Sequence, residues 1–197
     1  MDELFLLPPA PVAMPRAYWL EDQHTLSSQL VLVEPSEFEF NRIQEAFHNR
    51  TSGDFDMEIV NELYGDSCFI IPHRPYDLLT GEFRSKEHHL YLGSKEAVWD
   101  PEKVLKEAKF LHFSDWPFPK PWIHASDGQR KQVMPACVPD KEGHPDCRDQ
   151  KQWLWIYKDF GNRRKQVCGS GLERPSLEKR GVESYMSAPP SRWEPIF

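Results

Sequence analysis

Gln29-Leu-Val-Leu-Val-Glu-Pro-Ser-Glu-Phe-Glu39 is the stretch on which the fold turns. Leu30 to Val33 is a short apolar run with β-branched residues, closed by Glu34-Pro35, and it reads as a buried strand. Ser36 and Glu39 have the spacing of a capping box, in which hydroxyl and carboxylate each satisfy a free amide at a helix start. Helix is therefore expected from about Glu37 to His48. Phe40, Ile43 and Phe47 recur at i, i+3 and i+7, which sets one apolar stripe toward a sheet.

Moving outward, a strand followed by a capped helix is repeated in weaker form. A second short helix is expected from about Asp56 to Tyr64, with Gly65 suited to a left-handed cap, and Cys68 to Ile71 is the next strand. Asp100-Pro101 opens a helix to about Ala108, and Lys109 to Phe113 follows as a strand. This alternation predicts an α/β fold. Pro8, Pro9, Pro11 and Pro15 impose an extended path on the opening segment. Residues 72–93 read as irregular, with room for one hairpin. Gln150 to about Val167 is the longest helix candidate, with Trp153, Ile156, Tyr157 and Phe160 on one face. Beyond about Ser170 the composition shifts to Gly, Ser, Pro and charge, as in a disordered tail.

The 197 residues carry 24 basic and 31 acidic side chains, a net charge of −7 with no long basic stripe, which argues against a nucleic-acid partner. Apolar runs such as Leu4 to Leu7 and Leu30 to Val33 are far short of the roughly 20 residues that span a bilayer. Asp2 and Glu3 stand where a secretory signal carries bases, so the chain shows neither a membrane segment nor a targeting segment.

Cys68, Cys137, Cys147 and Cys168 contain no C-x-x-C pair, and His144 between two of them is too sparse a set for structural zinc. Cys137 and Cys147 flank a turn-rich loop and are expected to be close in space. They pair as a disulfide in an oxidising compartment and stay free thiols in a reducing one. Asn49-Arg50-Thr51 is an N-glycosylation sequon at a helix end, a triplet that agrees with a lumenal location but also arises by chance. Asp54-Phe55-Asp56 has the form that chelates a divalent ion with a diphosphate, but it opens a helix instead of ending a strand, and acids there also serve as caps. His112 with Lys120 offers an imidazole for an Mn-type ion and an ammonium for phosphate oxygens; the bland alternative for His112 is a hydrogen-bonded core histidine.

Several stretches, in order, resemble the family 8 (glycogenin-like) glycosyltransferases, and within them the fungal Golgi N-acetylglucosaminyltransferase branch. They are Met1 to Phe5 with Pro8 to Leu20, Leu26 to Ser36, Asp56 to Asn61, Leu63 to Cys68, Pro72 to Gly81, and His112-Phe-Ser-Asp-Trp through Lys120-Pro-Trp122. The match runs over residues 1–169, with 170–197 as the tail. The resemblance implies a GT-A (nucleotide-diphospho-sugar transferase) fold, a UDP-sugar donor, a glycan acceptor, an Mn2+ cofactor, a Golgi-lumenal location and transfer with retention. By motif, His112 corresponds to the metal ligand, Lys120 to the diphosphate contact, Asp56 to the catalytic, sugar-contacting acid, and Ser27 and Ser28 to donor-sugar contacts. Met57 stands where the family often has Gln, and the loop from His112 to Lys120 is longer than in glycogenin.

In that family a strand-ending Asp-x-Asp and the nucleotide-binding half precede the stretch matched by Asp2 to Phe5. The resemblance therefore implies an incomplete GT-A fold, the C-terminal part of the domain. From it follow the expectations of an exposed apolar sheet edge, low stability and no transferase activity by this chain alone. A noncatalytic remnant or interaction protein that keeps the scaffold is the alternative. Under the enzyme reading, His112, Lys120, Asp56 and Ser27 or Ser28 are expected to line one cleft at strand ends.

Overall fold

Val12–Pro15 (β1), in the proline-rich opening, is the central strand of a three-stranded sheet of order β2-β1-β3 in the computed structural model, which describes residues 1–169. The tail expected at 170–197 lies outside them. The structure divides into two units, 1–78 with 107–111, and 79–106 with residues from 112 onward.

In the first unit a 3-10 turn, Asp2–Leu6, precedes β1. Leu32–Val33 (β2) pairs antiparallel with it, Val12 opposite Val33. The expected strand is thus cut to two residues and lies at the edge instead of in the core, with Val33 51% exposed. Glu34-Pro35 ends it, and Ser36 caps Glu37–Asn49 (α1) by accepting from the Glu39 amide at 3.4 Å. The reciprocal half of the capping box is absent, because Glu39 accepts from Arg42 at 3.2 Å and from the Tyr64 hydroxyl at 2.7 Å.

No residue of α1 is buried. Of its expected stripe only Ile43 packs on the core formed by Val12, Met14, Leu26 and Tyr64, while Phe40 and Phe47 are largely exposed. Two strands beside β1 make too narrow a sheet to cover a whole helix face.

Asp56–Tyr64 (α2) runs where expected, but Gly65 caps it in right-handed geometry, φ −48 and ψ −40. A Cβ there would stand 2.7 Å from the Asn61 carbonyl oxygen, so close approach, and not a left-handed turn, favours glycine. Phe69–Ile71 (β3) pairs parallel with β1, Ala13 opposite Phe69. The chain then makes a kinked turn, His73–Tyr76 (α3). Among the described residues β2 and β3 are the edge strands of this sheet.

Leu78–Leu79 (β4) leads into a buried 3-10 turn, Thr80–Arg84, within the stretch read from the sequence as irregular. His89–Leu92 (α4) and Pro101–Glu107 (α5) follow, the latter started by Asp100, whose carboxylate accepts from the amides of Glu102 and Lys103. Leu111–His112 (β5) pairs with β4. Asp127–Val133 (α6), unexpected from the sequence, carries a full capping box between Ser126 and Gln129.

Val138–Pro139 (β6) and Pro145–Asp146 (β7) form a small hairpin closed by the disulfide Cys137–Cys147, with Cα atoms 4.3 Å apart. Arg148–Cys168 (α7) is the long helix expected from about Gln150 to Val167. It buries Trp153 and Ile156, and Trp153, Tyr157 and Phe160 meet Phe113 and Phe118 in an aromatic cluster with centroid spacings of 4.5 to 5.6 Å. No helix among the described residues is long and apolar enough to cross a membrane.

Candidate functional site

After β1 the chain doubles back. The Ala17 amide donates to the Thr25 carbonyl and the Ser27 amide to the Pro15 carbonyl, both at 2.9 Å, which turns Ser27 inward. Helix α2 fixes this return. The Asn61 side chain accepts from the Leu26 amide at 2.7 Å and donates to the Leu26 carbonyl at 3.0 Å and to the Met57 carbonyl at 2.8 Å. Leu26 and Ser27 are fully enclosed, whereas Ser28 is half-buried. The Ser27 hydroxyl accepts from the Gln29 amide at 3.4 Å.

Beside Ser27 lies Asp77, with no solvent exposure. Burial pushes its carboxyl up to about 7, and the Ser27 hydroxyl pulls weakly the other way. Neither carboxyl oxygen makes a hydrogen bond of normal geometry. Asp77 escaped sequence reading because an acid in an irregular, proline-containing segment reads as solvated. The available signal was its setting, Tyr76-Asp77-Leu78-Leu79, a lone acid inside an apolar run.

Asp56, in contrast, is exposed in the first turn of α2. The helix start is closed by Glu58, which accepts from the Phe55 amide at 2.9 Å, while Asp54 accepts from the Thr51 amide at 2.6 Å. Asp54 of the Asp-Phe-Asp triplet thus does the work of a turn residue, while the helix start is closed from outside the triplet by Glu58. Ser27, Ser28, Asp56 and Asp77 belong to the first unit, and His112 and Lys120 to the second.

In that second unit Lys120 Nζ lies 3.2 Å from His112 Nε2 and also donates to the Phe113 carbonyl. Burial, and then the Lys120 charge, hold the imidazole down at about 4, so the ring is neutral and its lone pair faces the ammonium. The loop between them is anchored by Asp115, which is buried, accepts from Tyr157 at 2.7 Å and pairs with Arg84 at 3.5 Å. Burial and the Asp115 charge keep Tyr157 firmly protonated. The Ser114 amide donates to Thr80 at 2.9 Å, and its hydroxyl accepts from the Gly81 amide at 3.0 Å. These bonds fix the loop on the Thr80–Arg84 turn. The longer loop noted in the sequence is therefore a held one.

The described residues contain no cluster of three His, Cys, Asp or Glu side chains able to hold a metal ion. A neutral imidazole facing an ammonium does not by itself fit an Mn-type ion, which takes about six mostly oxygen donors.

What the fold defines is a mixed α/β chain with two held polar clusters. Comparison with known proteins adds a relationship. The chain is 51% identical over 174 residues to a protein of Gibberella zeae named "Glucose N-acetyltransferase 1", matching 86% of this chain and 38% of that protein. It is 48% identical over 181 residues to the protein of that name from Aspergillus fumigatus, matching 85% of this chain and 47% of that protein. With the one from Saccharomyces cerevisiae it shares 23% over 182 residues. The chain thus spans less than half the length of these relatives. No family model and no solved structure matches.

Proposed function

We propose that this chain is part of a retaining family 8 glycosyltransferase of GT-A fold that moves N-acetylglucosamine from a UDP-linked donor to a glycan acceptor in the Golgi lumen. The observation that carries the reading is the His112–Lys120 pair, 3.2 Å apart on a held loop, in a chain half identical to proteins named as transferases. The relatives' name bears on the sugar. It joins glucose with an N-acetyl group, which supports N-acetylglucosamine as the sugar in this reading.

In this reading the Lys120 ammonium stabilises the charge that develops on the departing diphosphate. The exposed Asp56 carboxylate and the Ser28 hydroxyl face sugar hydroxyls, with the enclosed Ser27 shaping the wall behind Ser28. Mn2+ is the cofactor proposed, with His112 as one ligand. The described residues do not supply the oxygen donors it also needs.

Calorimetry with UDP, with and without Mn2+, tests this on the chain itself and on one extended to the relatives' length. Tight, metal-dependent binding is expected of the extended chain only, weakened by His112→Ala and by Lys120→Ala. An extended protein that binds UDP equally well without Mn2+, or with His112 replaced, would refute the assignment.

A further inference from the structure

Asn49-Arg50-Thr51 is the one N-x-S/T triplet in the 197 residues, and the proposed transfer chemistry does not use it. Its residues are all exposed. Asn49 is the last residue of α1, and Arg50 leaves the helix in extended geometry, φ −62 and ψ 152, so the acceptor side chain stands at a helix end instead of within a helix face. No side-chain hydrogen bond engages the Asn49 amide among the described residues. Beside it runs an open, polar groove of about 290 Å³, lined in part by Arg42, Glu45, Arg50, Asp54 and Glu62. The ring of Phe47, two residues before Asn49, is 48% exposed at the same helix end.

A second observation agrees with an oxidising compartment. Cys137 and Cys147 are joined, and such bonds persist in oxidising compartments, where asparagine-linked glycans are added. We infer that Asn49 carries an N-linked glycan whose first sugar residues lie along the groove beside the C-terminal end of α1. Asn49 Nδ2 forms a bond to the anomeric carbon of a lipid-diphosphate-linked oligosaccharide. The bond from that carbon to the diphosphate oxygen breaks, the lipid diphosphate leaves with the electron pair, and one amide proton passes to a base. The Thr51 hydroxyl is the group the transferring enzyme reads in such a triplet. In the folded chain it lies in the turn held by Asp54, whose carboxyl is kept low by hydrogen bonds from the Thr51 amide and side chain. Transfer therefore precedes closure of that turn.

The test is intact-mass analysis of the 197-residue chain directed into the secretory pathway of a yeast by a cleavable signal, using total cell protein so that folding is not a condition. Signal removal and an oxidised Cys137–Cys147 in the same sample establish entry. The expected result is one glycan per chain, removed by peptide-N-glycosidase, lost in Asn49→Gln and in Thr51→Ala, and retained in Thr51→Ser. Processed, disulfide-bonded chain with an unmodified Asn49 overturns the proposal. So does a glycan that persists in both Asn49→Gln and Thr51→Ala.

Discussion

Lys120 Nζ stands 3.2 Å from His112 Nε2, and the two were assigned from the sequence to a metal and to a diphosphate that the metal would bridge. Eight positions apart in the chain, they meet because Asp115 pins the loop between them to Arg84 and Tyr157. The arrangement is a neutral acceptor facing a cation, with the Nε2 lone pair of the ring engaged by the ammonium.

The neutral ring has a pH signature. His112 titrates at about 4 in the fold against 6.5 in the free side chain, so below pH 6.5 the unfolded chain takes up a proton that the folded chain refuses. Stability contributed by the neutral ring is complete above pH 6.5 and is lost as pH falls toward 4, on the order of a few kcal/mol in all. Burial is the larger cause and the Lys120 charge the smaller. Lys120→Met should therefore raise the ring's titration point, yet leave it below the ordinary histidine range. NMR titration of the His112 ring decides the point. A return to the ordinary value would mean that the lysine, and not burial, sets the ring's state.

Asn61 offers a structural prediction. Its amide satisfies the backbone N–H and C=O of the enclosed Leu26 as well as the Met57 carbonyl. Asn61→Ala strands two buried backbone groups and should destabilise the chain by about 2–6 kcal/mol, since each unmet group costs about 1–3 kcal/mol. Asn61→Asp keeps only the acceptor and should also destabilise. Urea unfolding midpoints measure both, and an Asn61→Ala midpoint equal to wild type would show that Leu26 finds another partner.

The parts legible in the sequence were those with local causes. Helices α1, α2, α5 and α7 follow from caps and periodicity, and they fall within a few residues of their expected bounds. Neither the centrality of β1 nor the exposure of Phe40 and Phe47 could be read, because both depend on how wide the sheet becomes. At the candidate site, His112 and Lys120 are close in sequence and lie 3.2 Å apart. Asp77 was missed because its burial is produced by residues around Ser27, some fifty positions away, and local polarity points the other way.

The hairpin closed by Cys137–Cys147 predicts a modest, local stabilisation. A bond across ten positions removes loop entropy worth about 3 kcal/mol in the chain-entropy account. Cys137→Ser with Cys147→Ser should lower stability by up to that amount and leave α7, which begins at Arg148, helical by circular dichroism. Loss of the α7 helical signal would show instead that the bond is needed to start the helix.

The last prediction concerns Asp77. Its carboxyl titrates at about 7 in the fold against 3.8 in the free side chain, because burial penalises the charged form. Between those values the folded chain holds a proton that the unfolded chain has released. The stability linked to this group is therefore fully present below about pH 4 and is lost as pH rises through 7, on the order of a few kcal/mol. His112 acts in the opposite direction below pH 6.5, so the wild-type profile alone does not isolate Asp77. The difference between wild type and Asp77→Asn does, because the amide keeps the shape and removes the titration. Urea midpoints at pH 5 and pH 7.5 should show wild type losing stability relative to the variant as pH rises. Parallel profiles for the two proteins would mean that Asp77 is ionised or solvated in the fold, and that the enclosed pair with Ser27 is not as described.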